Sequence, residues 1–391
     1  MKSLPLTEIG MPSVVSASAD ANRLPSLDGL RALSIALVLI GHLSGTRGFH
    51  RLYPIGDYAH LGVVVFFVIS GYLITRLLLQ EHAKFGRVSL RNFYARRALR
   101  LLPAAYTFIL CVVLLWVAGL IHLSARDIWH ALTYTVNFEV DRVWYIGHLW
   151  SLSVEEQFYL LWPIAFVLLL PRRATWAAFA AFLIGPATRL AMVVLLRGSP
   201  IRDLEIFPMV ADSLATGCLL ALTGKWLETQ NWYLRLFKPV IAIGMLLSVF
   251  VINYLMGWGI VFVFGTSVIN VFLAILIHRS VYCHRDWFGQ FLNYRPVAFI
   301  GVLSYSLYLW QQLFINRSSA SWVCAFPFNL IFAVAAALAS YYLLERPLLG
   351  LRHKLRIRQT MSSPGPMNLE ICKSQGQFSV DSDLSPAKRL P

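Results

Sequence analysis

The stretch HLWSLSVEEQFYLLWP, His148 to Pro163, is apolar enough to enter a lipid bilayer yet carries two adjacent carboxylates, Glu155 and Glu156. A charged side chain at bilayer depth costs roughly 2.5–3.5 kcal/mol or more on insertion scales, so such residues mark a functional site more often than not. The plainer alternative is a short interfacial helix whose glutamates reach water. The surrounding chain separates the two.

Hydrophobic residues make up 58% of the 391 positions and charged ones 14%, with a mean hydropathy of +0.63. That excludes an ordinary soluble domain and predicts an all-α integral membrane protein. Apolar runs of spanning or near-spanning length recur at 30–43, 61–79, 101–121, 150–170, 176–196, 207–222, 239–256, 258–277, 297–315 and 322–344. They predict about ten transmembrane helices, of which the first and sixth are the shortest. Alternating the loops from a cytoplasmic N-terminus places roughly nineteen Lys and Arg on one side against roughly seven on the other, which puts both termini in the cytoplasm. The formal net charge of +15 then follows from topology and contact with anionic membrane lipid, and calls for no nucleic-acid partner.

Residues 1–22 lack a continuous apolar core and read as a flexible lead-in rather than a cleaved signal peptide. Residues 351–391 are polar, contain Pro and Ser, and read as a disordered cytoplasmic tail. Between them, 23–350 reads as one transmembrane domain. The cysteines Cys111, Cys218, Cys283, Cys324 and Cys372 show no CxxC spacing, so neither a metal site nor a disulfide framework is expected.

Ionisable residues inside the spans carry the chemistry. His42 lies eleven residues after Arg31 in the first helix, about 16 Å along it at 1.5 Å per residue. In the fourth helix His148, Ser151, Glu155 and Tyr159 share one face. Arg189 and Asp212 fall in the outer halves of the next two. This reading places His42, Glu155 or Glu156, Arg189 and Asp212 at similar depth around one polar cavity. A histidine beside a carboxylate is the arrangement of a general base, because the carboxylate orients the imidazole that accepts a hydroxyl proton. Phase favours Glu155 over Glu156, with Glu155 within reach of His42. For Arg189 with Asp212, a structural ion pair and a substrate clamp both remain open.

On the opposite side, FYARRALRLLP (93–103) puts Arg96, Arg97 and Arg100 immediately before the third helix. Guanidinium groups match phosphate oxygens in bidentate geometry, so the cluster reads either as a topology signal or as a site for a phosphorylated donor.

Arg31 and His42 at Arg-x10-His spacing, FFVISGYL (66–73), FYARRALRLLP, HLWSLSVEEQFY, SYSLYLW (304–310) and Glu345-Arg346-Pro347 together resemble, in order, the acyltransferase 3 family of membrane-bound O-acyltransferases of bacterial surface carbohydrates. The resemblance implies a multi-pass protein of the bacterial inner membrane. It implies transfer of an acyl group, acetyl by default, from cytoplasmic acyl-CoA to a carbohydrate or lipid-linked glycan hydroxyl. It implies His42 as general base or acyl relay, Arg31 as its partner, Glu155 or Glu156 as the acidic residue, and Arg96, Arg97 and Arg100 against the CoA phosphates. Ser70 matches too, although Ser70-Gly71 also suits close helix packing. No tightly bound cofactor or metal is implied; acyl-CoA is a co-substrate. No hydrolase-like domain is expected after residue 351. The rival reading is a membrane transporter or exporter using the same buried charges as a relay.

Overall fold

The computed structural model describes residues 26–52, 58–195, 205–257 and 259–348, and among these every regular element is helical. The lead-in and tail expectations fall outside the described residues. The principal helices are α1 (Leu27–Leu43), α2 (Tyr58–Phe85), α3 (Leu90–Val117), α4 (Leu149–Leu195), α5 (Phe207–Leu227), α6 (Pro239–Tyr254), α7 (Gly259–Tyr282), α8 (Arg295–Phe314) and α9 (Phe328–Ser340).

Seven helical stretches among the described residues are long and apolar enough to cross a membrane. The sequence reading differs from this count at three places. The runs at 150–170 and 176–196 merge into α4, whose 47 residues would measure about 70 Å if straight, over twice a hydrocarbon core of ~30 Å. The chain breaks it at Leu170, with φ 57 and ψ 164, immediately before Pro171. Proline clashes with a helical predecessor and forces it towards extended ψ, so α4 is two arms rather than one rod. The first and seventh runs become α1 and α6, with 17 and 16 residues, short of the ~20 that a perpendicular span uses.

Packing centres on α5, which lies against α2, α4 and α7, while α1 sits between α2 and α8, and α9 covers α8. The contact of α2 with α5 is close because both faces offer glycine. A Cβ on Gly71 would lie 2.0 Å from the Leu214 carbonyl oxygen, and one on Gly217 would lie 2.1 Å from that of Val68. Small residues at facing positions are how helices associate where lipid supplies no hydrophobic drive. This contact fixes Ser70, the neighbour of Gly71, against the first arm of α4.

The start of α3 is held separately. Ser89 caps it by accepting from the Asn92 N–H at 3.4 Å, and Glu81 of α2 accepts from the Ser89 N–H at 2.9 Å and from Arg96 Nη2 at 3.0 Å. Arg96 therefore fastens α3 to the end of α2. After α9, the turn Tyr341–Glu345 is a π-helix, an insertion that turns Glu345 inward beside Ser306 of α8.

Candidate active site

Two cavities lie one above the other along α1, the one beside its N-terminal half called inner and the one beside its C-terminal end called outer. The inner one, of about 140 Å³, is lined by Asp28 and Arg31 of α1, Ser70 of α2, Arg97 and Arg100 of α3, Ser151, Glu155 and Tyr159 of α4, and Glu345. The outer one, of about 230 Å³, is lined by His42 of α1, His60 of α2, Arg142, Trp144, His148, Trp150, Glu205 and Gln312. Val63 and Tyr308 line both. α1 thus presents Arg31 to the inner cavity and His42 to the outer, as eleven residues of helical rise require.

In the inner cavity a hydrogen-bonded chain leads to Glu155. The Tyr159 hydroxyl donates to Ser70 Oγ at 3.1 Å, and Ser70 Oγ donates to Glu155 Oε1 at 2.6 Å. The Arg97 guanidinium lies 3.8 Å above the Tyr159 ring, and its buried Nε has no hydrogen-bond partner among the described residues. Arg31 lies 3.6 Å from Asp28. Three arginines (31, 97 and 100) face three carboxylates (Asp28, Glu155 and Glu345), so the inner cavity is close to charge balance rather than strongly positive.

In the outer cavity His42 Nδ1 meets Gln311 Oε1 at 2.8 Å, and its ring stands edge-on to Trp144 at 5.6 Å. His148 Nδ1 meets Gln312 Oε1 at 2.9 Å, and its Nε2 meets the Leu309 carbonyl at 3.0 Å. The consecutive amides of Gln311 and Gln312 therefore hold one histidine each. Arg142 pairs with Glu205, and His60 stacks on Trp150 at 6.1 Å. Between the cavities Tyr308 hydroxyl donates to the His148 carbonyl at 2.9 Å and meets Ser151 Oγ at 2.5 Å.

Four expectations about placement need correction or closure. His42 and Glu155 do not share a cavity: His148 stands at the outer level, and the seven residues from it to Glu155 carry the carboxylate about 10 Å inward. Of the two glutamates, Glu155 lines the inner cavity and Glu156 does not. Arg96 lines neither cavity, because Glu81 engages it, whereas Arg97 and Arg100 line the inner one. Arg189 and Asp212 line neither cavity and form a closed buried unit. Arg189 donates to both Asp212 oxygens, at 3.2 and 2.7 Å, to Ser267 Oγ at 2.8 Å and to the Met209 and Val263 carbonyls at 2.5 and 2.9 Å. A guanidinium so fully engaged is a structural pair.

Gln311, Gln312, Trp144 and Glu205 stand at the site without being among the residues expected there, and Tyr308 is expected only as part of the SYSLYLW motif. The two glutamines carried a signal, since adjacent amides in a membrane span must find partners. Arg142 and Glu205 lie outside the apolar runs and gave none. Among the described residues no group of three or more His, Cys, Asp or Glu is placed to hold a metal ion.

Comparison with known proteins agrees with the motifs. The sequence is 29% identical over 361 residues to O-acetyltransferase OatA of Staphylococcus aureus (strain NCTC 8325), covering 83% of this chain and 57% of that protein. It is 31% identical over 371 residues to the putative peptidoglycan O-acetyltransferase YrhL of Bacillus subtilis (strain 168), covering 83% and 55%. A putative O-acetyltransferase of Staphylococcus aureus (strain COL) is 32% identical over 325 residues, covering 75% and 51%. The chain thus spans about half the length of the curated relatives it matches. No solved structure matches it. Residues 24–345 match the family described as Acyltransferase domain, Acyl_transf_3, and the chain belongs to that family.

Proposed function

We propose that this chain is a membrane-embedded O-acyltransferase that carries an acyl group, acetyl by default, from cytoplasmic acyl-CoA to a hydroxyl of a cell-envelope glycan such as peptidoglycan. The observation that carries the reading is the pair of cavities with a common boundary at Val63 and Tyr308, one bearing arginines and the other histidines. The relatives' names, O-acetyltransferase and putative peptidoglycan O-acetyltransferase, supply the acyl group and the acceptor class.

Counting the arms of α4 separately and adding α1 and α6 gives ten apolar segments, an even number that suits two cytoplasmic termini in the bacterial inner membrane. The inner cavity then opens towards the cytoplasm and the outer towards the envelope. The charge balance of the inner cavity suits the neutral pantetheine arm, which carries the thioester up to the boundary at Val63 and Tyr308 and so to the outer cavity. The CoA phosphates remain on the side of Arg97 and Arg100, which follow the exposed Lys84, Arg87 and Arg91 in sequence.

In the outer cavity His42 acts as general base: it takes the acceptor hydroxyl proton while the oxygen attacks the thioester carbonyl. The new C–O bond forms, the C–S bond breaks and the thiolate leaves with the returned proton. Ser70 and Tyr159 fix Glu155 in the inner cavity, and the Tyr159 ring carries Arg97 beside it. The test is incubation of membranes holding the wild type or His42→Ala with radiolabelled acetyl-CoA. Label in the glycan fraction that depends on His42 supports the reading. Label unchanged by His42→Ala, or solute uptake without any transfer, sinks it.

A further inference from the structure

Gln311 is fully buried, and its amide makes one contact with a titratable group, Oε1 against His42 Nδ1 at 2.8 Å. The other end of the amide, Nε2, is buried with no hydrogen-bond partner among the described residues. An apolar residue of similar volume would avoid that desolvation cost, so the contact with His42 is what the side chain contributes. With the amide oriented this way its oxygen can only accept, so the bond requires the proton on His42 Nδ1 and makes Nε2 the basic nitrogen. The reverse amide orientation would donate to Nδ1 and place the histidine proton on Nε2, leaving as the one basic nitrogen the Nδ1 that Gln311 already occupies.

The surroundings hold the ring in the same pose. Trp144 stands edge-on to His42, with its own Nε1 donating to the Gln312 and Ile315 carbonyls at 3.1 Å each. Arg317 donates to the Gly41 carbonyl at 2.5 Å and pins the last turn of α1. The neighbouring His148 has a separate acceptor, Gln312, so the two histidines do not compete for one amide.

We propose that Gln311 is a positioning residue that fixes His42 as the Nδ1–H tautomer, doing with a neutral amide what a carboxylate does for the histidine of a hydrolase triad. The consequence for catalysis rests on the acyl-transfer reading; the tautomer itself does not. With Nδ1 committed to Gln311, the acceptor proton moves to Nε2 as the C–O bond forms and the C–S bond breaks, and it leaves from Nε2 to the thiolate.

The test is magic-angle-spinning nitrogen-15 NMR of the full chain in lipid with labelled histidine, the His42 signals being assigned by their loss in His42→Gln. The wild type and Gln311→Glu, which can only accept, are expected to show the proton on Nδ1, and Gln311→Met to show it on Nε2. In parallel, acetyl transfer from acetyl-CoA into the membrane glycan fraction is expected to lose at least ~100-fold in kcat in Gln311→Met, with KM for acetyl-CoA little changed, and to recover to within about tenfold in Gln311→Glu. A wild-type His42 carrying its proton on Nε2, or a Gln311→Met enzyme with unaltered tautomer and kcat, would overturn the proposal. The expected tautomers together with transfer that is indifferent to His42→Ala would leave Gln311 in its role and reject the acyltransferase reading instead.

Discussion

Asp212→Ala distinguishes a structural ion pair from a substrate clamp. The Asp212 carboxylate is wholly buried and receives three hydrogen bonds, two from Arg189 and one from Ser267 Oγ at 2.6 Å. Arg189 is 3% exposed, and without Asp212 it would retain only the Met209 and Val263 carbonyls and the Ser267 hydroxyl. Removing one partner of a buried pair strands the other charge and costs about 3–5 kcal/mol. In a chain of this size that lowers the unfolding midpoint by about 4–6 °C. Removing both charges with Arg189→Met and Asp212→Ala together should recover about half of that loss or more, because no unpaired charge remains. Tryptophan fluorescence during heating of the purified, detergent-solubilised protein reads the midpoints, and acetyl transfer measured below each midpoint reads function. A single variant that unfolds with the wild type yet has lost transfer would refute the structural assignment and return the pair to the substrate.

Gly71→Val places side-chain carbon against the Leu214 carbonyl, so α2 and α5 must separate; the yield of folded, monodisperse protein on size exclusion is expected to collapse, whereas Gly244→Val, in open space on α6, leaves it unchanged. Arg97→Gln is expected to lower kcat/KM for acetyl-CoA at least about tenfold, the scale of one charge-assisted hydrogen bond. Arg96→Gln releases a partly exposed bridge to Glu81 and changes it less than about threefold; equal effects would contradict the assignment of Arg97 to the cavity. Glu155→Gln is expected to abolish transfer and Glu156→Gln to spare it, read as label in membrane glycan, because only Glu155 lines the inner cavity.

Much of the fold could be read from composition and apolar run length, since a bilayer admits few backbone solutions and helices are one of them. What the runs could not reveal was joining. The intervals 150–170 and 176–196 look like separate spans, but the backbone stays helical through Arg172 and Arg173 and breaks only at Leu170. The candidate site was legible in its residues and less so in its depth. Helical phase puts Glu155 on the face that lines the inner cavity, yet treating His148 and Glu155 as one level ignores about 10 Å of rise and predicts a contact with His42 where the structure has Gln311. Contacts between distant segments, such as Gln311 with His42 across 269 positions or Arg142 with Glu205 between two loops, leave no local pattern to read.

On the acyl-transfer reading, a single path joins a donor on one face of the membrane to an acceptor on the other. Proteoliposomes of sorted orientation, with radiolabelled acetyl-CoA supplied only at the cytoplasmic face and peptidoglycan fragments enclosed at the other, test it most directly. Acetylated fragments are expected to accumulate inside with the wild type and to fail to do so with His42→Ala or Arg97→Gln. Acetylation of fragments supplied on the same side as the acetyl-CoA, with none across the bilayer, would contradict it.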